Sequence, residues 1–180
     1  MIKLHVGCGK RNFGDDWIHI DGVDFPHIKY RDITNLSQFR NGTVDLIYAS
    51  HVIAYFSCEE IVMVLNEWKR VLKPNGILRL ATPDFYKMTY LYQRGECNLG
   101  NIVGPLYGKM QMNNTEIFHK TVYDIMSLSK LLMEVGFKDI ERYDWRQTNH
   151  AQFDDHSQAY LPKMNKQSGI LISLNVECKK

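Results

Sequence analysis

A turn Gly7-Cys8-Gly9 follows directly on the alternating stretch Ile2-Lys3-Leu4-His5-Val6. Glycines at the end of a strand let backbone N–H groups approach a ligand that a Cβ would hold off. The dinucleotide fingerprint asks for a further glycine at position 12, where this chain has Asn12. That glycine lets a helix press close and seat a pyrophosphate, so its absence points to a nucleoside ligand without phosphates. On its own the turn reads equally well as a plain tight turn after an edge strand. The chain also carries seven histidines. His5, His19, His51, His119 and His156 fall near expected strand or helix ends, and His150 lies near His156. Imidazole titrates near neutrality, which suits it to moving protons. Plain roles compete: His51 as a satisfied strand-end residue, His119 as a solvated loop residue. His150, Asp154, Asp155 and His156 are ligand types for divalent ions, but their spacing matches no metal motif and no metal is expected. The segment Asp154-Asp155-His156-Ser157-Gln158-Ala159-Tyr160 reads better as a loop offering hydrogen bonds to a polar acceptor.

These residues must be placed by an alternation of strands and helices, the pattern of an α/β domain. After residues 2–6, strands are expected at Trp17–Asp21, more weakly at Ile28–Ile33, and at Val44–Ser50, whose apolar run suits burial on both faces. Ser57 and Glu60 form a capping-box signature, and Ile61, Leu65, Trp68 and Leu72 then draw one apolar stripe of a helix. Lys73-Pro74-Asn75-Gly76 ends that helix, and a strand follows over Gly76–Thr82. An aromatic-rich helix is expected from Asp84 to Arg94, with Asp84 as its N-cap. Its aromatics Phe85, Tyr86, Tyr90 and Tyr92 are mostly core or surface, with one or two left to wall an acceptor pocket. Residues 95–120 read as a long, partly ordered loop, a class of segment that is often functional. Asp124 caps a second helix carrying Leu128, Leu131, Leu132 and Val135, and Gly136-Phe137 fits a Schellman end. Ile140–Trp145 and Gly169–Val176 are the expected closing strands.

Hydrophobic residues make up 44% and charged residues 23% of 180 residues, so disorder, collagen and coiled coil are poor readings. That length suits one domain, spanning 1–180, with residues 95–120 as lid or substrate loop. Lysine and arginine (22) exceed aspartate and glutamate (20) by +2, which argues against nucleic acid or acidic lipid as partner. No apolar run approaches the roughly 18 residues of a membrane span. No basic, then apolar leader precedes the first strand, and the four cysteines are widely spaced, so a reduced, cytoplasmic protein is expected.

Taken in order, Leu4-His5-Val6-Gly7-Cys8-Gly9, Asp21, Asp32-Ile33, Val44-Asp45-Leu46-Ile47-Tyr48-Ala49-Ser50-His51 and Leu72-Lys73-Pro74-Asn75-Gly76 resemble the class I S-adenosylmethionine-dependent methyltransferases. The resemblance covers about residues 2–84 and is most similar to small bacterial methyltransferases. It implies a doubly wound Rossmann-like sheet, mostly parallel, with an antiparallel strand near the C-terminus. It further implies that Gly7 and Gly9 approach the methionine part of the cofactor and that Asp21 accepts from the ribose hydroxyls. Asp32 would sit beside the adenine amino group with Ile33 against the ring, while Ser50 and His51 line the crevice where strand order reverses. Two features depart from the family. Gly9 to Asp21 spans twelve residues, too few for the usual crossover helix, which is therefore shortened or missing. Related sequences carry Glu-His where this chain has Ala54-Tyr55.

The expected activity is methyl transfer from S-adenosylmethionine to a small polar acceptor, with a sugar or sugar-linked metabolite as the remaining guess. The Asn/Asp-Pro-Pro-aromatic tetrad of amino-methylating relatives is absent at Ser50-His51-Val52-Ile53, which disfavours adenine, cytosine or glutamine as acceptor. His51, His119 and His156 are the candidate bases, and Asp155 and Tyr160 the candidate acceptor contacts. A non-catalytic cofactor-binding subunit and a nicotinamide-dependent oxidoreductase are the rival readings.

Overall fold

A computed structural model describes residues 1–180. In chain order the elements are β1 (Lys3–Val6), β2 (Ile18–Ile20), β3 (Ile28–Tyr30) and β4 (Val44–Ser50), then α1 (Cys58–Val71) and β5 (Leu72–Pro83). Next come α2 (Phe85–Gln93), α3 (Leu99–Tyr107), the hairpin β6 (Met110–Met112) and β7 (Thr115–Ile117), and α4 (Ile125–Val135). The chain closes with β8 (Lys138–Arg142), β9 (Tyr160–Leu161), β10 (Ile170–Leu171) and β11 (Ser173–Lys179). Seven strands form one sheet in the order β3-β2-β1-β4-β5-β11-β8. All neighbours are parallel except β11, which runs antiparallel to both β5 and β8. No helix is long and apolar enough to cross a membrane.

Pleating sends alternate residues to opposite faces, and the two faces are covered differently. On one, Leu4, Val6, Ile47, Ala49, Leu78 and Leu80 share a core with α1 and α4. The α1 stripe is fully sequestered, and the buried Trp68 indole donates to Ile33 O at 2.7 Å. Both halves of the expected capping box are present, Glu60 N donating to Ser57 Oγ and Ser57 N to Glu60 Oε2. The end of α4 is a Schellman motif: Gly136 has φ 90°, Phe137 N donates to Leu132 O at 2.9 Å, and the Phe137 ring is buried.

The other face lacks the usual first crossover helix. Residues 7–17 contain no helix, although β1 and β2 pair in parallel. Phe13 and Trp17 lie on the sheet instead, their rings 5.9 and 6.3 Å from that of Tyr48. Phe153, from the long segment between β8 and β9, stacks on Phe13 at 4.6 Å, and His150 does so at 5.4 Å. Truncating Phe13 to alanine therefore opens a cavity between this loop and the sheet. We expect a loss of about 3–5 kcal/mol in urea unfolding, with the m-value unchanged.

Three expectations are corrected. Residues 95–120 are not a loop: they form α3 and the β6–β7 hairpin, with Asn98 capping Asn101 N and Gly108 ending the helix at φ 52°. The strand expected from Gly76 starts at Leu72, and Lys73–Gly76 bulges out between the pairs Val44–Leu72 and Leu46–Ile77. The closing strands shift as well: β8 ends at Arg142, where Asp144 caps a short 3-10 turn over Trp145–Gln147. Of residues 169–176, Ile170–Leu171 leave the main sheet to pair with β9, and β11 starts only at Ser173.

Candidate active site

Sheet order reverses between β1 and β4, and a cleft of about 740 Å³ opens at their carboxyl ends. That size is ordinary for a small-ligand site, and the place is where open α/β sheets bind ligands. Gly7 and Gly9 both have positive φ, 64° and 56°, but for different reasons. A Cβ on Gly7 would lie 2.2 Å from Val52 Cγ2, so its role is packing. A Cβ on Gly9 would meet no atom within 4 Å. It would stand in open cleft, in a cradle that a ligand can fill.

Asp21 faces the same space from the end of β2. Its Oδ2 accepts Gly9 N–H at 2.7 Å and its Oδ1 accepts Val23 N–H at 2.9 Å, which fixes the carboxylate beside the glycine. Each oxygen keeps a second lone pair for a ligand hydroxyl. Ser50 lines the cleft from β4, and its buried Oγ has no protein partner. An open cradle, an oriented carboxylate and an orphaned hydroxyl together suit a ligand that brings hydrogen-bonding groups to this rim.

All three candidate bases reach this cleft. His51, just past β4, takes φ 56°, a conformation that non-glycine residues rarely adopt. Its N–H donates to Ala81 O at 2.7 Å, its Nε2 lies 3.5 Å from Ser173 Oγ, and its ring is 5.0 Å from that of His156. Burial pushes the His51 and His156 rings below the usual imidazole range, and the His156 ring further disfavours a charge on His51. His119 comes from the strand-to-loop junction after β7. Its Nδ1 is 3.1 Å from Leu106 O, and since a carbonyl only accepts, Nδ1 carries the proton and Nε2 is left as acceptor. The ring lies flat against Gly108, where a Cβ would come 2.1 Å from Nε2. Tyr55 stands edge-on to that ring at 4.5 Å and donates its hydroxyl to Gly108 O.

The sequence-derived residues thus converge, with qualifications. Gly7, Gly9, Asp21, Ser50, His51, His119, Asp155, His156 and Tyr160 line one cleft, whereas Asp32 and Ile33 do not. Asp32 Oδ1 is engaged in an Asx turn, accepting Thr34 N and Oγ1 at 2.7 and 2.6 Å, and those bonds hold its carboxyl below the usual range. Ile33 packs partly buried on the α1 core. Asp155 is 1% exposed, with Tyr48 OH on one oxygen and Ser157 N–H on the other. The Tyr160 hydroxyl accepts from Arg146 at 2.8 Å and from the Trp145 indole at 3.2 Å. The aromatics of α2 stay outside the cleft. Sequence reasoning missed Arg11, Tyr55, Lys109 and the wall made by α3. Gly100, Gly104 and Gly108 at intervals of four are the signal that would have revealed a smooth helix face.

Comparison with known proteins agrees with this geometry. A family model described as a methyltransferase domain matches residues 19–80. None of the curated proteins compared with the chain matches it in sequence. Among solved structures, a SAM-dependent methyltransferase from Archaeoglobus fulgidus is 13% identical, with TM-score 0.57 over 99% of this chain and 85% of that one. One from Methanosarcina mazei is 15% identical, with TM-score 0.57 over 99% and 91%. The 1,6-didemethyltoxoflavin-N1-methyltransferase of Burkholderia thailandensis, solved with bound 1,6-didemethyltoxoflavin and S-adenosylhomocysteine, is 11% identical with TM-score 0.56 over 99% and 70%. Sheet order, reversed β11 and a cleft at the switch point define the class I methyltransferase fold. The chain has the fold of these S-adenosylmethionine-dependent methyltransferases, and the methyltransferase-domain match over residues 19–80 is similar in the same sense.

Proposed function

We propose that this chain methylates a small polar acceptor, a sugar or sugar-linked metabolite, at the cleft between β1 and β4. The observation that carries the reading is the open cradle at Gly9 beside the doubly anchored carboxylate of Asp21. Gly9 would leave room for the methionine part of the cofactor, Asp21 would hold the ribose hydroxyls, and Ser50 Oγ would gain its missing partner. Asp32 and Ile33 remain candidates for the adenine end only if the loop after β3 turns inward on binding. The bound cofactor supplies an electrophilic methyl group on a sulfonium. The protein has to orient the acceptor, exclude water and take a proton from a hydroxyl acceptor.

Burial keeps His51, His119 and His156 neutral, so each has a ring nitrogen able to accept that proton. The helix α3 and the β6–β7 hairpin would act as the lid over the acceptor, with His119 and Tyr55 pinned to Gly108 beneath it. Asp155 and Tyr160 would shape the acceptor side through the groups they hold. Four unpaired cysteines fit a reducing, cytoplasmic setting, and the near-zero net charge fits a small-molecule acceptor over a nucleic acid or membrane.

Two measurements test this. S-adenosylhomocysteine should raise the melting temperature where NAD does not, because a ligand of the native state stabilises it by mass action; a shift with NAD alone points to an oxidoreductase. Labelled methyl from the cofactor should then enter a fraction of a metabolite extract. Binding without transfer to any acceptor would mark the chain as a cofactor-binding subunit, as the replacement of Glu-His by Ala54-Tyr55 would allow.

A further inference from the structure

Tyr48 has no exposure to solvent, yet its hydroxyl reaches the cleft wall by donating to Asp155 Oδ2. Asp155 Oδ1 accepts the N–H of Ser157 at 2.8 Å and caps the short turn His156–Gln158. That turn presents the His156 ring to His51. Tyr48 lies in β4, and His51, three residues on, directly follows that strand. The strand therefore carries one imidazole directly and holds the other through a phenol and a carboxylate.

A second path closes the circuit from β11. Asn175 Nδ2 donates to Ser157 O at 2.9 Å, Ser173 Oγ donates to Asn175 Oδ1 at 2.9 Å, and Ser173 Oγ lies 3.5 Å from His51 Nε2. Asp155 forms no ion pair, so its buried charge is met by the phenol and by the amide N–H. Such a carboxylate holds position only while its donors do, because an unpaired buried charge is costly.

We propose that Tyr48 and Asp155 are positioning residues that set His156 against His51, making the two imidazoles one preassembled proton-handling unit on the cleft wall. Its catalytic meaning rests on the methyl-transfer reading; its geometry does not. The charged and titratable groups that face His156 are Arg11, Asp154, Asp155, His51 and His119. Removing the Tyr48 hydroxyl deletes none of these groups and breaks only the hydrogen bond that tethers Asp155.

Histidine NMR titration of the ligand-free full chain tests the pairing. In Tyr48→Phe the protein should stay folded by circular dichroism, while the His156 midpoint rises by about one unit as its ring meets water. The His51 resonances should move with it. Asp155→Asn and Asp155→Ala both remove the charge, but only the asparagine keeps an acceptor for the phenol. The asparagine variant should therefore retain more of the wild-type His51 and His156 shifts than the alanine variant. In methyl transfer, Tyr48→Phe should lower kcat about tenfold to a hundredfold while leaving the KM for cofactor within twofold.

Folded Tyr48→Phe protein with unchanged His51 and His156 shifts and midpoints would overturn the proposal. Should that variant fail to fold, equal shifts in the two Asp155 variants would overturn it. A chain that binds no S-adenosylhomocysteine would sink the function proposed above, while the titrations would still judge the tether.

Discussion

Asp21→Ala is expected to bind S-adenosylhomocysteine about a hundredfold more weakly than the parent chain, and Asp32→Ala less than threefold more weakly. The first figure follows from two hydrogen bonds to a charged acceptor at about 1.5 kcal/mol each, or about 3 kcal/mol in all. Asp21 also anchors the N–H groups of Gly9 and Val23, so the substitution loosens the cradle as well as removing the ligand contact. Asp32 instead serves its own turn through Thr34 and Asn35. Titration calorimetry of the two variants separates these roles. Equal losses at both positions would mean that the loop after β3 closes onto the ligand, and no loss at Asp21 would remove the cleft from consideration as a nucleoside site.

The second large effect is a loss of stability in mild acid. Burial holds His5, His19, His51, His119, His150 and His156 below the ordinary imidazole range, His19 at about 4 and His150 at about 3. These groups are neutral in the folded chain and take up protons on unfolding, so stability is fully present above the unfolded value near 6.5. It is lost as pH falls from there toward the folded values. His19 and His150 are 3% and 1% exposed. Between pH 6.5 and 5 they contribute about 2 kcal/mol each at most, or about 4 kcal/mol together. The melting temperature should therefore fall by roughly 10 °C between pH 7.5 and 5. Protonating His19 also removes the acceptor that its Nε2 offers to Phe13 N–H at 2.9 Å. Calorimetric scans in buffers of matched ionic strength measure the shift. A flat profile over that interval would show the histidine row to be wet.

Elements whose signal is local were legible in the sequence. The capping pairs Ser57–Glu60 and the start at Asp124 fix where α1 and α4 begin, and the Gly136-Phe137 end needs nothing from elsewhere in the chain. α3 was missed because Gly100, Gly104 and Pro105 each weaken a helix, and packing on the Met88, Leu91 and Ile172 cluster overrides that local preference. The rim residues Gly9, Asp21, Ser50 and His51 follow from strand ends, so their meeting in one cleft could be foreseen. What occupies a side chain could not. Asp155 looks free in the sequence because its partner Tyr48 lies 107 residues earlier. Asp32 looks available because an Asx turn leaves no mark beyond the threonine two positions on.

The aromatic packing that replaces the first crossover helix joins distant parts of the polypeptide in time as well as in space. Phe13 stacks on Phe153, so the first strand-to-strand connection cannot settle until residue 153 has left the ribosome. Contacts at such separation slow the search for the native state. A nascent chain halted before residue 150 would leave its amino-terminal rings bare, a surface that chaperones are built to hold.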